Sequence, residues 1–124
     1  MSYDPIITEL KNQLIQLTSS EKYPITEVRA NRTKHNGKAV YSILTPSSEI
    51  VYVGKTADLC QRMQDHINTN SSSDLNMMLK KYTELPQDSK NYQVQYVRIM
   101  DDRKRGQVES FVISILNPKL NKLG

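Results

Sequence analysis

The sequence predicts an α+β domain, and three observations carry that prediction. Two apolar runs of strand type, Ala39–Leu44 and Ile50–Val53, are separated only by Thr45–Glu49, a spacing that suits an antiparallel hairpin. A third run, Tyr92–Met100, alternates Tyr92, Val94 and Tyr96 against Gln93, Gln95 and Val97, as a half-buried strand does. Around these runs lie segments whose apolar residues recur every three or four positions, which is helical spacing.

The first such segment, residues 5–18, places Ile6, Ile7, Leu10, Leu14 and Leu17 on one face. Asp4 is expected as its N-cap, with Pro5 at the first helical position where proline costs a helix least. This helix should lie across the domain or against a second copy of the chain. Residues 23–28 alternate and read as extended, confined to an edge by Pro24. Residues 1–36 are read as an appendage, a helix and a basic arm, on a core of 37–124. After the hairpin, Gly54 ends the second strand and Thr56 is the expected N-cap of a helix reaching about Ile67. Leu59, Met63 and Ile67 would face the sheet. A polar loop over 68–73, a helix over 74–85 stopped by Pro86, and a charged turn over 101–106 follow. The last helix spans about 107–116, and Asn117-Pro118 terminates it.

A chain of 124 residues has room for one modest core. No run is long enough for a membrane span, and Asp4, Glu9 and Lys11 interrupt the only segment that could serve as a secretory leader. The single cysteine, Cys60, excludes an internal disulfide and a cysteine-based zinc cluster; a cytoplasmic location is expected. The chain carries 17 basic and 13 acidic residues. Arg29, Arg32, Lys34 and Lys38 fall in one ten-residue stretch without an acid, so the other 114 residues balance at 13 of each sign. That stretch is either a solvated loop or an anion-binding arm.

Cleaving a phosphodiester requires a group that positions or deprotonates water, and cations for the charge that builds on phosphorus and on the leaving oxygen. Arginine suits the phosphate because its fork engages two oxygens at once. Arg62 and His66 are four residues apart, hence neighbours on one helix, at the rim of the apolar stripe. Tyr41 and Tyr52 lie on the facing strands of the hairpin. Gly54-Lys55-Thr56 before a helix suggests a phosphate loop, but a nucleotide-triphosphate motif would need glycine where Glu49 stands. Glu109 is the single acid of the expected last helix and sits beside its apolar stripe. Each residue also has an ordinary reading: core tyrosines, a solvated arginine and glutamate, a surface histidine, helix-capping asparagines at 117 and 121.

In this order, the residues resemble the GIY-YIG nuclease family. Ala39-Val40-Tyr41 stands where that family has its first signature triad and Tyr52-Val53-Gly54 where it has the second. Arg62 and His66 continue the pattern, and Glu109 through Asn117-Pro118-Lys119-Leu120-Asn121 is similar to its closing helix and tail. The likeness covers about residues 37–121. Ala39 departs from the family's first glycine, which concerns backbone packing more than chemistry.

The resemblance implies a three-stranded antiparallel sheet flanked by helices, here with an extra N-terminal helix. It implies a divalent metal, Mg2+ or Mn2+, held by Glu109, with Arg62 gripping the scissile phosphate. Tyr41 with His66 would orient or deprotonate the attacking water, Tyr52 would shape the pocket and Asn121 would support the site. Lys55 would add a phosphate contact. One protein carboxylate can suffice for magnesium, which keeps waters and takes substrate oxygens. The expected activity is metal-dependent hydrolysis of double-stranded DNA to 5′-phosphate and 3′-hydroxyl ends, by a monomer or a homo-oligomer. The competing expectations are a nucleic-acid-binding module that does not cut, and a small protein-interaction domain built on the first helix.

Overall fold

The computed structural model describes residues 4–68 and 75–123. Strand β2 of the fold, Ala39–Leu44, is buried at every position, which its uncharged sequence AVYSIL permits. It pairs antiparallel on one side with β3 (Ile50–Thr56) and on the other with β4 (Gln93–Arg98). The sheet has a fourth strand where three were expected: β1, only Tyr23–Pro24, lies outside β4 and gives the order β1-β4-β2-β3. The register jumps from Ile43 opposite Tyr52 to Leu44 opposite Ile50, so Val51 is the extra residue of a bulge.

Alternation along the strands sends residues to two cores, one on each side of the sheet. Ala39, Tyr41, Ile43 and Val94 face α2 (Ile25–Ala30), α4 (Leu59–Ile67) and α5 (Leu75–Leu79). Val40, Val53, Val97 and Ile99 face α1 (Asp4–Ser19) and α6 (Asp102–Leu116). The result is three layers, helices on both faces of an antiparallel sheet.

Several boundaries differ from expectation, each for a local reason. Ile25 and Val28 are three apart, which puts them on one face of a helix but on opposite faces of a strand, and both are fully buried in α2 rather than in an extended segment. The basic run holds a one-turn helix, α3 (Arg32–His35), whose N-cap Asn31 accepts from the Lys34 N–H. Strand β3 continues to Thr56, opposite Ala39, so Asp58 takes over as N-cap of α4 by accepting from the Gln61 N–H. Helix α6 starts at Asp102 because Asp101 caps it at 2.8 Å from the Lys104 nitrogen; the charges of 102–106 hid this first turn. The helix expected over 74–85 is only Leu75–Leu79, and Gln87 closes its end by donating to the carbonyls of Leu79, Tyr82 and Leu85. Helix α1 already includes Asp4, so its start lies one residue earlier than an Asp4 N-cap would give; the 69–73 portion of the expected polar loop and the Asp74 helix start lie outside the described residues.

Helix α1 lies across the sheet. Leu10, Leu14 and the fully buried Leu17 pack against α6 and β4, while Ile6 and Ile7 at the far end stay largely exposed. A buried side chain of β4 ties down its last turn: Gln95 Nε2 donates to the carbonyls of Thr18 and Ser20 at 3.0 and 2.8 Å. Among the described residues no helix is long and apolar enough to cross a membrane. Replacing Gln95 with Leu leaves those carbonyls without their donor in a buried place, so a loss of about 1–3 kcal/mol is expected. In urea denaturation it would appear as a lower midpoint at an unchanged slope. An unchanged midpoint would mean that Leu17 alone holds the helix end.

Candidate active site

The register of the hairpin sets the site. Tyr41 is opposite Gly54 and Tyr52 is opposite Ile43, which turns both phenols toward α4. Gly54 needs to be glycine because of a close approach: a Cβ there would lie 2.6 Å from Tyr41 Oη, 2.7 Å from its Cζ and 3.0 Å from a Tyr52 ring carbon. The Tyr41 ring thus lies across Gly54 toward the outer edge of the sheet.

Helix α4 brings Arg62 and His66 onto that ring, one turn apart. His66 Nε2 is 2.9 Å from Tyr41 Oη, and Arg62 Nε donates to the same oxygen at 3.3 Å. Arg62 also hydrogen-bonds the Tyr52 side chain. The Tyr41, Tyr52 and His66 rings form a triangle with centroids 5.4–6.1 Å apart. Because Arg62 occupies one Tyr41 lone pair, the phenol's own proton is best placed on the line to His66 Nε2. His66 is fully buried, and burial first, then the Arg62 charge, lowers its pKa to about 3, so the ring is neutral. Its other nitrogen, Nδ1, is buried without a hydrogen-bond partner among the described residues. Burial foremost, with Tyr52 and Glu109 adding to it, pushes the Tyr41 phenol well above its ordinary range, against the pull of Arg62.

Glu109 reaches the same edge from the opposite face. It is half-buried on α6, and its carboxylate accepts the backbone N–H of Lys55. Burial raises its pKa, and the Lys55 charge and amide oppose the rise. Lys55 itself is exposed and points to the α6 side of β3, in register with Val40. Asn121, in the 3-10 turn Lys119–Leu123, engages Val53 twice: Oδ1 accepts its N–H and Nδ2 donates to its carbonyl, both at 2.8 Å. Both outward backbone groups of Val53 are therefore satisfied by Asn121, and the outward Lys55 N–H by Glu109.

Tyr41, Tyr52, Arg62 and His66 thus form one hydrogen-bonded group, and Glu109, Lys55 and Asn121 line the adjoining strand edge. The basic run lies elsewhere, around the N-terminus of α4. Arg32 pairs with Asp58 at 3.1 Å, Lys34 with Glu27 at 3.8 Å and Lys38 with Asp102 at 3.7 Å, while Arg29 donates to Gln64. Sequence reasoning missed the steric role of Gly54, for which the pairing of its position with Tyr41 is the only signal. It also missed a second buried polar group, in which His35 bridges Glu27 at 2.5 Å and Tyr96 at 2.7 Å.

Two outcomes follow from this geometry. Gly54→Ala should displace the Tyr41 ring and cost about 1–3 kcal/mol, read as a lower Tm; an undiminished Tm would show that the ring can swing aside freely. For His66, the folded pKa lies below the value of 6.5 expected without burial, so as pH falls the unfolded chain takes up the proton first. The stability tied to the neutral ring is complete above pH 6.5 and is lost progressively as pH drops toward 3. His66→Gln should flatten the decline of the urea midpoint between about pH 7 and 4, and an equally steep decline would contradict a buried neutral imidazole.

The family model of the GIY-YIG catalytic domain matches residues 37–122. No curated protein and no solved structure gives a significant match. The matched span begins just before β2 and ends just past Asn121, so it takes in the tyrosine hairpin, α4, Glu109 and the closing turn. With more than half of its length matched, and with the family's signature tyrosines meeting across Gly54, this chain belongs to the GIY-YIG nuclease family.

Proposed function

We propose that the chain is a metal-dependent endonuclease that hydrolyses DNA phosphodiesters, leaving 5′-phosphate and 3′-hydroxyl ends. The observation that supports this most is the Tyr41 hydroxyl, held between Arg62 and His66 on a sheet edge that Glu109 shares. Tyr41 is fully buried, so the cover over its hydroxyl must open before its second lone pair can accept an O–H of the attacking water and aim the water oxygen at phosphorus. His66 fixes the phenol's rotor. Its depressed pKa disfavours imidazolium, so of the two roles expected for it, orienting is supported over removing the proton. Arg62 spends its Nε on Tyr41 and keeps further N–H donors for the non-bridging oxygens of the scissile phosphate. Tyr52 limits the pocket beside them, and Asn121 keeps the strand edge in register.

A divalent cation fits Glu109. This carboxylate is partly desolvated, its charge is penalised for that reason, and a cation would relieve the penalty. Among the described residues no group of three or more acidic, histidine or cysteine side chains accompanies it. Mg2+ or Mn2+ would then complete its shell with water and phosphate oxygens. Such an ion, when bound, supplies Lewis-acid stabilisation of the charge developing at the phosphate. Lys55 adds a cation for a phosphate along the same edge. Arg29, Arg32, Lys34 and Lys38 serve as a peripheral DNA contact: exposed ion pairs contribute little to stability, so phosphates can replace their partners.

Supercoiled plasmid tests the proposal. Wild-type protein with magnesium or manganese should nick or linearise it, and EDTA or Glu109→Ala should reduce cutting to background. Arg62→Ala should slow cutting by about 10²–10³-fold while the protein stays folded. Wild-type protein that binds the plasmid but leaves it intact with either metal would instead point to a binding module of the same fold.

A further inference from the structure

Between α1, the first two turns of α6 and the end of β3 runs an open groove of about 720 Å3. Ile6 and Leu10 of α1 form one wall, Arg103 and Gln107 of α6 the other, and Lys55 and Gly106 lie between them. The groove is continuous with the nuclease site, since Lys55 lines it and the Lys55 amide holds Glu109.

Two features suit it to a nucleic-acid strand. The first is charge. Asp102, the carboxylate that borders the groove, is bound by Arg105 at 2.7 Å and by Lys38 at 3.7 Å, and these contacts, Arg105 first, hold its pKa below the usual range. The groove is left with the exposed guanidinium of Arg103, which no carboxylate pairs among the described residues, and with the ammonium of Lys55, whose charge also bears on Glu109. The second is Gly106. A glycine inside a helix costs about 0.5–1 kcal/mol relative to alanine, and here it has no positive φ to justify it. The nearest atom to a Cβ at this position would be Lys55 Nζ, at 3.3 Å. Gly106 therefore keeps the floor low and lets the Lys55 ammonium lie along α6.

We infer that this groove seats the DNA strand on one side of the scissile phosphate, with Lys55 and Arg103 toward its phosphates and Ile6 and Leu10 toward its sugars. Helix α1, which precedes the matched family span, thereby becomes a substrate-guiding wall. The inference rests on the nuclease reading for its substrate, but binding can be tested apart from cutting.

The experiment measures binding of a fluorescent duplex by anisotropy, without metal, in the Glu109→Ala background. Arg103→Glu and Gly106→Leu are each expected to weaken binding tenfold or more, and Ile6→Asp at least threefold. Lys81→Glu, the same charge change at an exposed position after α5, should stay within threefold. Circular dichroism checks the fold of each variant, and Arg103, being exposed, is the substitution least able to disturb it. Arg103→Glu weakening binding no more than Lys81→Glu would assign the effect to net charge and overturn the groove. So would Gly106→Leu that folds and binds like the parent. Failure of the nuclease reading would appear separately, as wild-type protein that binds the duplex normally and never cuts it.

Discussion

The contact on which the site depends is the Tyr41 ring lying over the bare backbone of Gly54. It requires three things at once: antiparallel pairing of β2 with β3, a register that sets 41 opposite 54, and no side chain at 54. When all three hold, a residue of the buried central strand reaches the sheet margin, where Glu109 arrives from the other layer. The bulge at Val51 lies just upstream and lets Tyr52 face the same side as Tyr41 while Leu44 pairs with Ile50.

Desolvation governs the electrostatics of the site. It drives the His66 value down and the Tyr41 and Glu109 values up, favouring the uncharged form of each group. Arg62 remains as a half-buried cation whose donors are only partly used. The resting site thus leaves Arg62 without a carboxylate partner among the described residues, and it leaves Glu109 with only partial compensation from Lys55. In the proposed reaction a phosphate and a cation would supply those two deficits together.

The hairpin was legible because β-branched and aromatic runs flank a short polar linker, and because both cores are apolar. Helix starts were less legible where the first turn is charged: Asp101 caps α6 seven residues before its apolar stripe begins at Val108. Residues 23–28 carried a helical sign in Ile25 and Val28, which share a face only in a helix, beside a Tyr-Pro start that does form a strand. Most of the candidate site was readable as residue types in a family order. What could not be read was the face each residue would occupy. Glu109 and Lys55 approach from the layer opposite Arg62 and His66, a fact that depends on register and on how α6 packs. The basic arm looked uncompensated along the sequence because its acidic partners Glu27, Asp58 and Asp102 lie outside the ten-residue stretch and meet it only in the folded chain.

The way the sheet margins are finished has a consequence for assembly. At one margin stands β1, two residues long and ending in Pro24, which has no N–H to offer a new strand. At the other, Asn121 and Glu109 occupy hydrogen-bonding groups of Val53 and Lys55 that an incoming strand would need. The sheet is therefore closed to growth by strand addition, and the residues that close one side belong to the candidate site. Pairing of two copies by strand addition is thereby disfavoured, and α1 offers the exposed side chains of Ile7 and Ile15 as an alternative surface. A sequence change that loosens Asn121 would unsettle Val53 and also unlock a sticky edge, so solubility and site integrity share one asparagine.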